Sequence, residues 1–538
     1  MSGGSGRGRF DETVASRVDE GLRDLLPRLV AKDATLWPGG ERGLIDIADR
    51  LGWLDLPVSM ESRLAEVERF ASEVRGAGFR RALLLGMGGS TLAPDVYARL
   101  AGGAAGALDL SILDTTDPEA VLTAEAGGEI GRTLFLVSSK SGTTVESNAL
   151  AAYFLERTGS NGAQFAAITD SGTPLERLGG ARGFRRVFVN PADVGGRFSA
   201  LSLFGLVPAV LAGVDVRALL AGARRAREEC LRAGGGSATR AVRLGALLAT
   251  GVEHGRDKLT LLMPAALEPF GAWVEQLVAE STGKGGRGVL PVVGEAAREA
   301  GWYGGDRLFV AVGAPGGRRS LAALERAGHP VLALESDPVT DLGAAFFEWE
   351  VATALCGAWL RLNPFDQPNV AESKANTEAV LARFSSGEAP SGAAAAMPDD
   401  LAARVAAWLG GAVPGGYAAI LAYLAPTPAH GAFLGRLRAS LGERTGLAVT
   451  VGYGPRFLHS TGQLHKGGPA TGLFLQIEVE GERDVAVPGA GYSFGRLELA
   501  QALGDREALE RRGRPVLRFR LPARALPAFE EAFLAALA

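Results

Sequence analysis

Residues 134–147 read LFLVSSKSGTTVES. The stretch opens as an apolar run suited to a strand buried on both faces. It then crowds hydroxyls and one ammonium into a few positions, and "VESNALAAYFLERT" continues as an amphipathic helix. The same strand, turn and helix plan appears earlier in "LLLGMGGSTLAPDVYARL" at 83–100. Two such units predict an α/β protein with a parallel sheet covered on both faces.

Working outward, further apolar runs at 108–114, 165–170 and 186–190 extend that first sheet, with helix-like segments between them. A second unit of similar plan follows "AGGGSATR" (233–240), with strands expected at 258–264, 307–313 and 329–335 and helices near 268–281 and 341–361. "SSGEAPSGAAAAMPDD" and "LGGAVPGG" read as linker. The organisation expected is therefore an N-terminal helical arm over 1–60, with residues 1–8 as a tail. Doubly wound parallel-sheet units follow over 61–230 and 240–384, then a linker over 385–416 and a C-terminal α+β segment over 417–538. That last segment has strands near 417–424, 447–452, 472–480 and 515–521.

Composition narrows the function classes. The chain has 538 residues, 47% of them hydrophobic, and 56 basic against 60 acidic residues are mixed along its length, so neither nucleic acid nor an anionic membrane is expected as a partner. Two cysteines imply no disulfide framework, the N-terminus lacks the apolar region of a secretory signal, and no apolar stretch has the length of a membrane span. The cytoplasm is the expected compartment. Neither H-x-x-x-H nor C-x-x-C occurs, so no metal or other cofactor is expected.

In an open parallel sheet, ligands bind outside the carboxyl ends of the strands. Gly88, Gly89 and Ser90 in the first turn would present backbone N–H groups to an anion. Ser139, Lys140, Ser141, Thr143 and Thr144 in the second combine hydroxyls, an ammonium and a helix N-terminus, which suits a phosphate monoester. Helix caps are the plainer reading of any one of these hydroxyls. "GMGGST" lacks the third glycine of a dinucleotide fingerprint, and "STGK" at 281–284 lacks the companions of a penicillin-reactive serine enzyme. In "WVEQLVAESTGKGGRG" a helix carries Glu275, Gln276 and Glu280 close to its C-terminal glycine turn. A carboxylate there faces the negative end of the helix dipole, which favours its taking up a proton, as a general base must.

Five motifs now stand in one order: "GMGGS" (86–90), "SSKSGTTVE" (138–146), "VGGRFSALSLFGLVP" (194–208), "EQLVAESTGKGGRG" (275–288) and "NPFDQPNVAESK" (363–374). In this the chain resembles the phosphoglucose isomerase family, which is built from two sugar isomerase domains. The C-terminal "GYGPRFLHSTGQLHKGGPATGLFLQ" and "RLGWLDLP" are similar to the isomerase half of fusions between transaldolase and phosphoglucose isomerase, although about 60 residues before the first unit leave no room for a transaldolase barrel. The resemblance implies interconversion of glucose 6-phosphate and fructose 6-phosphate through a cis-enediol, without a cofactor, in a homodimer. It implies Glu280 as the base, Arg197 as the cation stabilising the enediolate, and Gln276 lining the sugar. Lys374 and Gln367 would assist ring opening and contact the sugar, Glu146 would lie near the ring-opening apparatus, and Ser139, Lys140, Ser141 and Thr144 would hold the phosphate beside Ser90.

One departure stands out. The family's ring-opening histidine lies between the base motif and "FDQ", and the histidine in that interval here, His329, sits at an apparent strand edge. His459 and His465, in a polar, glycine-rich stretch that makes poor core material, are the alternatives; the expectation is that one of them is the acid, reaching across a dimer interface as the family's histidine does. Broader activity on mannose 6-phosphate and a non-catalytic sugar-phosphate sensor are the competing functions.

Overall fold

The computed structural model describes residues 3–100, 106–313, 318–334, 338–386 and 400–537. Among them three parallel sheets form. The first holds β1 (Arg81–Gly86), β2 (Asp109–Leu113), β3 (Thr133–Ser138), β4 (Phe165–Asp170) and β5 (Arg186–Asn190), in the spatial order β2-β1-β3-β4-β5. Its central strands are buried along their length because "ALLLG" and "TLFLVS" are apolar at successive positions, and helices cover both faces. The chain winds from β1 to β2 on one side and then to β3 on the other, which opens a crevice between β1 and β3. Gly86 pairs with Ser138 in that register. The two donor-rich turns therefore leave the sheet side by side.

The second sheet repeats the plan with β6 (Lys258–Leu262), β7 (Leu290–Val292), β8 (Arg307–Ala311) and β9 (Val331–Ala333) in the order β7-β6-β8-β9. The helix Glu268–Thr282 leaves the carboxyl end of β6, and the helix Leu342–Leu360, apolar almost all round, packs against it in the core. β7 is short and carries Pro291, which hides it from a search for strand periodicity.

The C-terminal segment differs from the α+β expectation. Its strands β10 (Tyr417–Tyr423), β11 (Ala448–Tyr453), β12 (Gly472–Glu480) and β13 (Val516–Pro522) pair in parallel throughout, in the order β11-β10-β12-β13. The helices Pro428–Thr445 and Phe494–Glu510 are the crossovers that parallel pairing demands. Part of the expected linker is ordered: Leu401, Val405 and Trp408 bury one face of the helix Leu401–Leu409 against the helix Leu526–Leu537, while residues 387–399 lie outside the described residues. The expected N-terminal tail is also shorter, because the helix Gly3–Glu20 begins within it. Phe10 is buried beside His254, and the Arg7 guanidinium donates to the carbonyls of Glu325 and His329. No helix among the described residues is long and apolar enough to cross a membrane.

The C-terminal segment docks on the first sheet through Phe494, edge-on to Tyr153, and on the helix Pro368–Ser385 through Arg512, which pairs with Glu372. That docking carries residues 456–467 onto the carboxyl end of the first sheet and against the end of the helix Glu268–Thr282.

Candidate active site

The glycine turn after β1 is where the pieces meet. Gly88 has φ +54°, and a Cβ there would lie 2.9 Å from the carbonyl oxygen of His459 and 3.0 Å from Gln276 Nε2. A Cβ on Gly89 would lie 2.1 Å from the Gly196 carbonyl oxygen. These glycines thus admit the close approach of other chain segments. The Ser90 amide, expected free for an anion, donates to the Met87 carbonyl instead.

Glu280 sits at the end of its helix with 4% of its surface exposed. Arg197 Nη1 lies 3.2 Å from Glu280 Oε1, and Gln276 Nε2 donates to Oε2 at 3.1 Å, one helical turn away. The same amide nitrogen donates to the His459 carbonyl at 2.8 Å, so it ties the carboxylate to the C-terminal loop. Arg197, on the turn Gly196–Phe198, also donates to Ser281 Oγ (2.9 Å), Gln367 Oε1 (2.9 Å) and the carbonyls of Pro364 (2.6 Å) and Asp366 (2.8 Å). Four guanidinium N–H groups are thus bonded, and the Glu280 carboxylate stands beside Nη1 as well. Burial pulls its proton affinity below the ordinary arginine value, while Glu280 and Asp366 oppose that shift. One buried side chain therefore ties the turn after the first sheet to the base helix and to the loop 364–367.

His459 faces the other wall of the crevice. Its Nε2 lies 2.9 Å from Glu146 Oε1, and its side chain keeps 25% of its surface exposed. Burial lowers its proton affinity, but the Glu146 carboxylate, with Glu280 and Asp114 further off, overrides this and raises it above the ordinary value. Glu146 is correspondingly held below the usual carboxylate range: burial pushes up, and His459 and Lys374 pull down further. The contact is made within one chain.

The two lysines make different contacts. Lys140 pairs with Asp170 and donates to the Ala192 carbonyl at 2.9 Å, so its ammonium is committed beside the hydroxyl loop. Lys374, exposed on the helix Pro368–Ser385, reaches back to Thr143, with Nζ 3.2 Å from Oγ1 and 3.3 Å from the carbonyl. Ser141 and Thr143 are exposed there with their hydroxyls 2.9 Å apart, and Ser139 donates to Thr144 at 3.0 Å. Thr144 occupies the N-cap of the helix Val145–Arg157 but its hydroxyl caps no backbone N–H, so capping does not account for it.

Two histidines fall outside the site. His465 is buried in the joint of the C-terminal segment, with Nδ1 3.0 Å from the Tyr417 hydroxyl and its ring stacked at 5.7 Å on Tyr417. Burial, with Lys466 and Arg514 nearby, drives its proton affinity down to about 3, so it has no acid role. His329 packs edge-on against Phe309 and Tyr303, with Nε2 3.1 Å from the Ala300 carbonyl, as a strand-edge residue.

Glu275, on the same helix as Glu280, is pushed up to about 7 by burial, opposed by Arg438 and Arg456. Sequence reasoning missed Lys284 and Gln501. Lys284, lowered to about 7 by burial and by the charge of Arg197, pairs with Asp366 at 2.7 Å and pins the loop that carries Gln367. Gln463 donates to Asn369 and to the Gly283 carbonyl, and Gln501 donates to Glu146. The signal for Lys284 was a lysine in a glycine turn directly after the base helix; isolated amides such as Gln501 gave none.

A family model described as phosphoglucose isomerase matches residues 67–289, which include both donor-rich turns, Arg197 and Glu280. A curated glucose-6-phosphate isomerase of Rubrobacter xylanophilus is 30% identical over 420 residues, covering 67% of this chain and 94% of that protein. One from Carboxydothermus hydrogenoformans is 29% identical over 62% of this chain and 85% of its own length. With one from Citrifermentans bemidjiense identity rises to 36%, but the match spans 43% of this chain and only 46% of that protein. Among solved structures, a hypothetical protein of Thermus thermophilus superposes with a TM-score of 0.59 at 28% identity, over 70% of this chain and 98% of its own. A glucose-6-phosphate isomerase of Chlamydia trachomatis shares the fold, with a TM-score of 0.50 at 20% identity over 66% and 78%. A relative matched across nearly its whole length places this chain in the glucose-6-phosphate isomerase family.

Proposed function

We propose that the chain interconverts glucose 6-phosphate and fructose 6-phosphate. The observation that carries this reading is the Gln276 amide, which bonds Glu280 and the backbone of His459 at once and so brings a base and an acid to one crevice. Ser141, Thr143 and Lys374 hold the phosphate at the crevice mouth, where hydroxyls and an ammonium replace its water.

The His459 imidazolium, its proton affinity raised by Glu146, gives its proton to the ring oxygen as the bond from C1 to that oxygen breaks, and the C1 hydroxyl returns a proton to the neutral imidazole to leave the aldehyde. Glu280 takes the proton from C2. The electron pair forms the C1–C2 double bond, and the carbonyl oxygen takes the negative charge beside the fixed guanidinium of Arg197. Glu280 then returns the proton to C1 while the C2 hydroxyl passes its proton to the C1 oxyanion, which completes the ketose. Metal and cofactor have no part in this scheme.

Two further proposals belong to this reading. The cytoplasm is its setting, supported by two free, buried cysteines. A homodimer is its assembly, although His459 meets Glu146 of its own chain, so the second copy serves stability rather than supplying the acid. The test is production of glucose 6-phosphate from fructose 6-phosphate, followed through its oxidation by a coupled dehydrogenase with mannose 6-phosphate assayed in parallel. Steady turnover on the first and little on the second is expected; binding of both without turnover would identify a sensor instead.

A further inference from the structure

We propose that Gln501 is a positioning residue for the acid: it fixes the Glu146 oxygen that holds His459 and so sets both the aim of the imidazole and its hold on the proton. The inference rests on the reading of His459 as the ring-opening acid. Gln501 lies on the helix Phe494–Glu510, far along the sequence from every motif, and is 1% exposed. Its Nε2 donates to Glu146 Oε1 at 2.7 Å, and its Oε1 accepts from Thr116 Oγ1 at 2.8 Å. An ionised carboxylate only accepts, so the amide nitrogen must be the end that faces Glu146, and the Thr116 hydroxyl then turns its hydrogen to the amide oxygen.

Glu146 Oε1 thus receives two donors, one from Gln501 and one from His459. A neutral donor on that oxygen draws off part of its negative charge and loosens its grip on the imidazolium proton. The oxygen is also locked in place by a chain running from Thr116 through Gln501 to Glu146. Other charges face the pair from each side: Lys374 and Tyr492 lie toward Glu146, and Glu280 and Asp114 toward His459. Lys374 opposes the negative charge that Glu280 and Asp114 add. Packing alone does not call for an amide, since Leu499, Ala500 and Leu503 beside it on the same helix are buried apolar residues. A buried amide without partners is costly, and here both of its ends are satisfied only by the chain that ends at the acid.

The test uses the full chain with labelled histidines, five in all, and assigns His459 by its loss in His459→Gln. In Gln501→Met, which keeps the volume and removes the donor, the His459 titration midpoint should rise by roughly half a pH unit. The alkaline limb of kcat/KM should rise with it. Loss of a hydrogen bond to a charged group should lower kcat about tenfold with KM little changed. Thr116→Val, which frees the amide to turn, should shift both in the same direction by less, and it serves if Gln501→Met does not fold. A His459 midpoint and an alkaline limb that stay in place in either folded variant, with only the melting temperature lowered, would overturn the proposal. If the unaltered protein turns over no hexose phosphate, the catalytic reading fails, and the His459 midpoint still decides whether Gln501 controls the pair.

Discussion

His459 and His465 lie a few residues apart on one glycine-rich loop and have opposite surroundings. The first meets a carboxylate, keeps a quarter of its side chain exposed and binds its proton more tightly than a free histidine. The second stacks on Tyr417, is 2% exposed and binds a proton only near pH 3. Loop composition, which made both poor core material on sequence grounds, does not separate them. The partner does: Glu146 in the crevice raises the proton affinity of one, and burial in an aromatic joint lowers that of the other.

The largest break in this comparison comes from replacing the two in turn. His459→Gln should lower turnover on the cyclic sugar by about 10²-fold or more, the range of a lost general acid. His465→Gln should leave turnover close to that of the unaltered protein; the reverse outcome would exchange their roles. The pH profile sharpens the same point. Because Glu146 raises the proton affinity of His459 in the folded chain, the imidazolium survives above its ordinary midpoint, and activity should fall only as pH rises past that raised value. The stability contributed by the raised proton affinity of His459 follows the same sign: it is full below the unfolded midpoint and is lost as pH rises through the folded one. An alkaline limb at or below the free-histidine midpoint of about 6.5 would remove His459 from the chemistry.

A smaller effect separates the two lysines. Lys374→Met should raise KM about tenfold, near 1.4 kcal/mol, through the lost phosphate contact. Lys140→Met should raise it less, since that ammonium is spent on Asp170 and the Ala192 carbonyl. Equal effects would mean that both reach the phosphate. The smallest effect concerns stability alone. His465 has its folded proton affinity depressed, so between pH 6.5 and about 3 the unfolded chain holds a proton that the folded chain does not, and stability falls as pH falls. From pH 6.5 to 5.5 the loss should be about 1 kcal/mol in urea titrations, and His465→Gln should abolish it.

The sheets were legible because their central strands are apolar at successive positions and are bounded by glycine turns, so β1 and β3 announce themselves and the crevice between them follows from topology. The helix Leu401–Leu409 was not read from the sequence: Leu401, Val405 and Trp408 carry its spacing, but the glycine and proline on either side made the stretch look like linker. The motif order brought Arg197, Gln276 and Glu280 together as expected from the resemblance. Side-chain reach was not legible: nothing local says that Lys140 turns to Asp170 or that Lys374 spans back to Thr143. The C-terminal contribution was half legible. Polar residues in a glycine loop pointed to 456–467, but only the docking of Phe494 and Arg512 decides which of them faces the crevice.

The central claim is that Glu280 moves the proton. The most direct measurement compares turnover in Glu280→Gln with sugar-phosphate binding measured separately by calorimetry. The amide keeps the size and accepts from either Arg197 or Gln276 through its single oxygen, but it cannot accept the C2 proton. Affinity for fructose 6-phosphate close to that of the unaltered protein, with turnover lower by roughly 10²–10⁴-fold, is the predicted result. Turnover retained in that variant would contradict it.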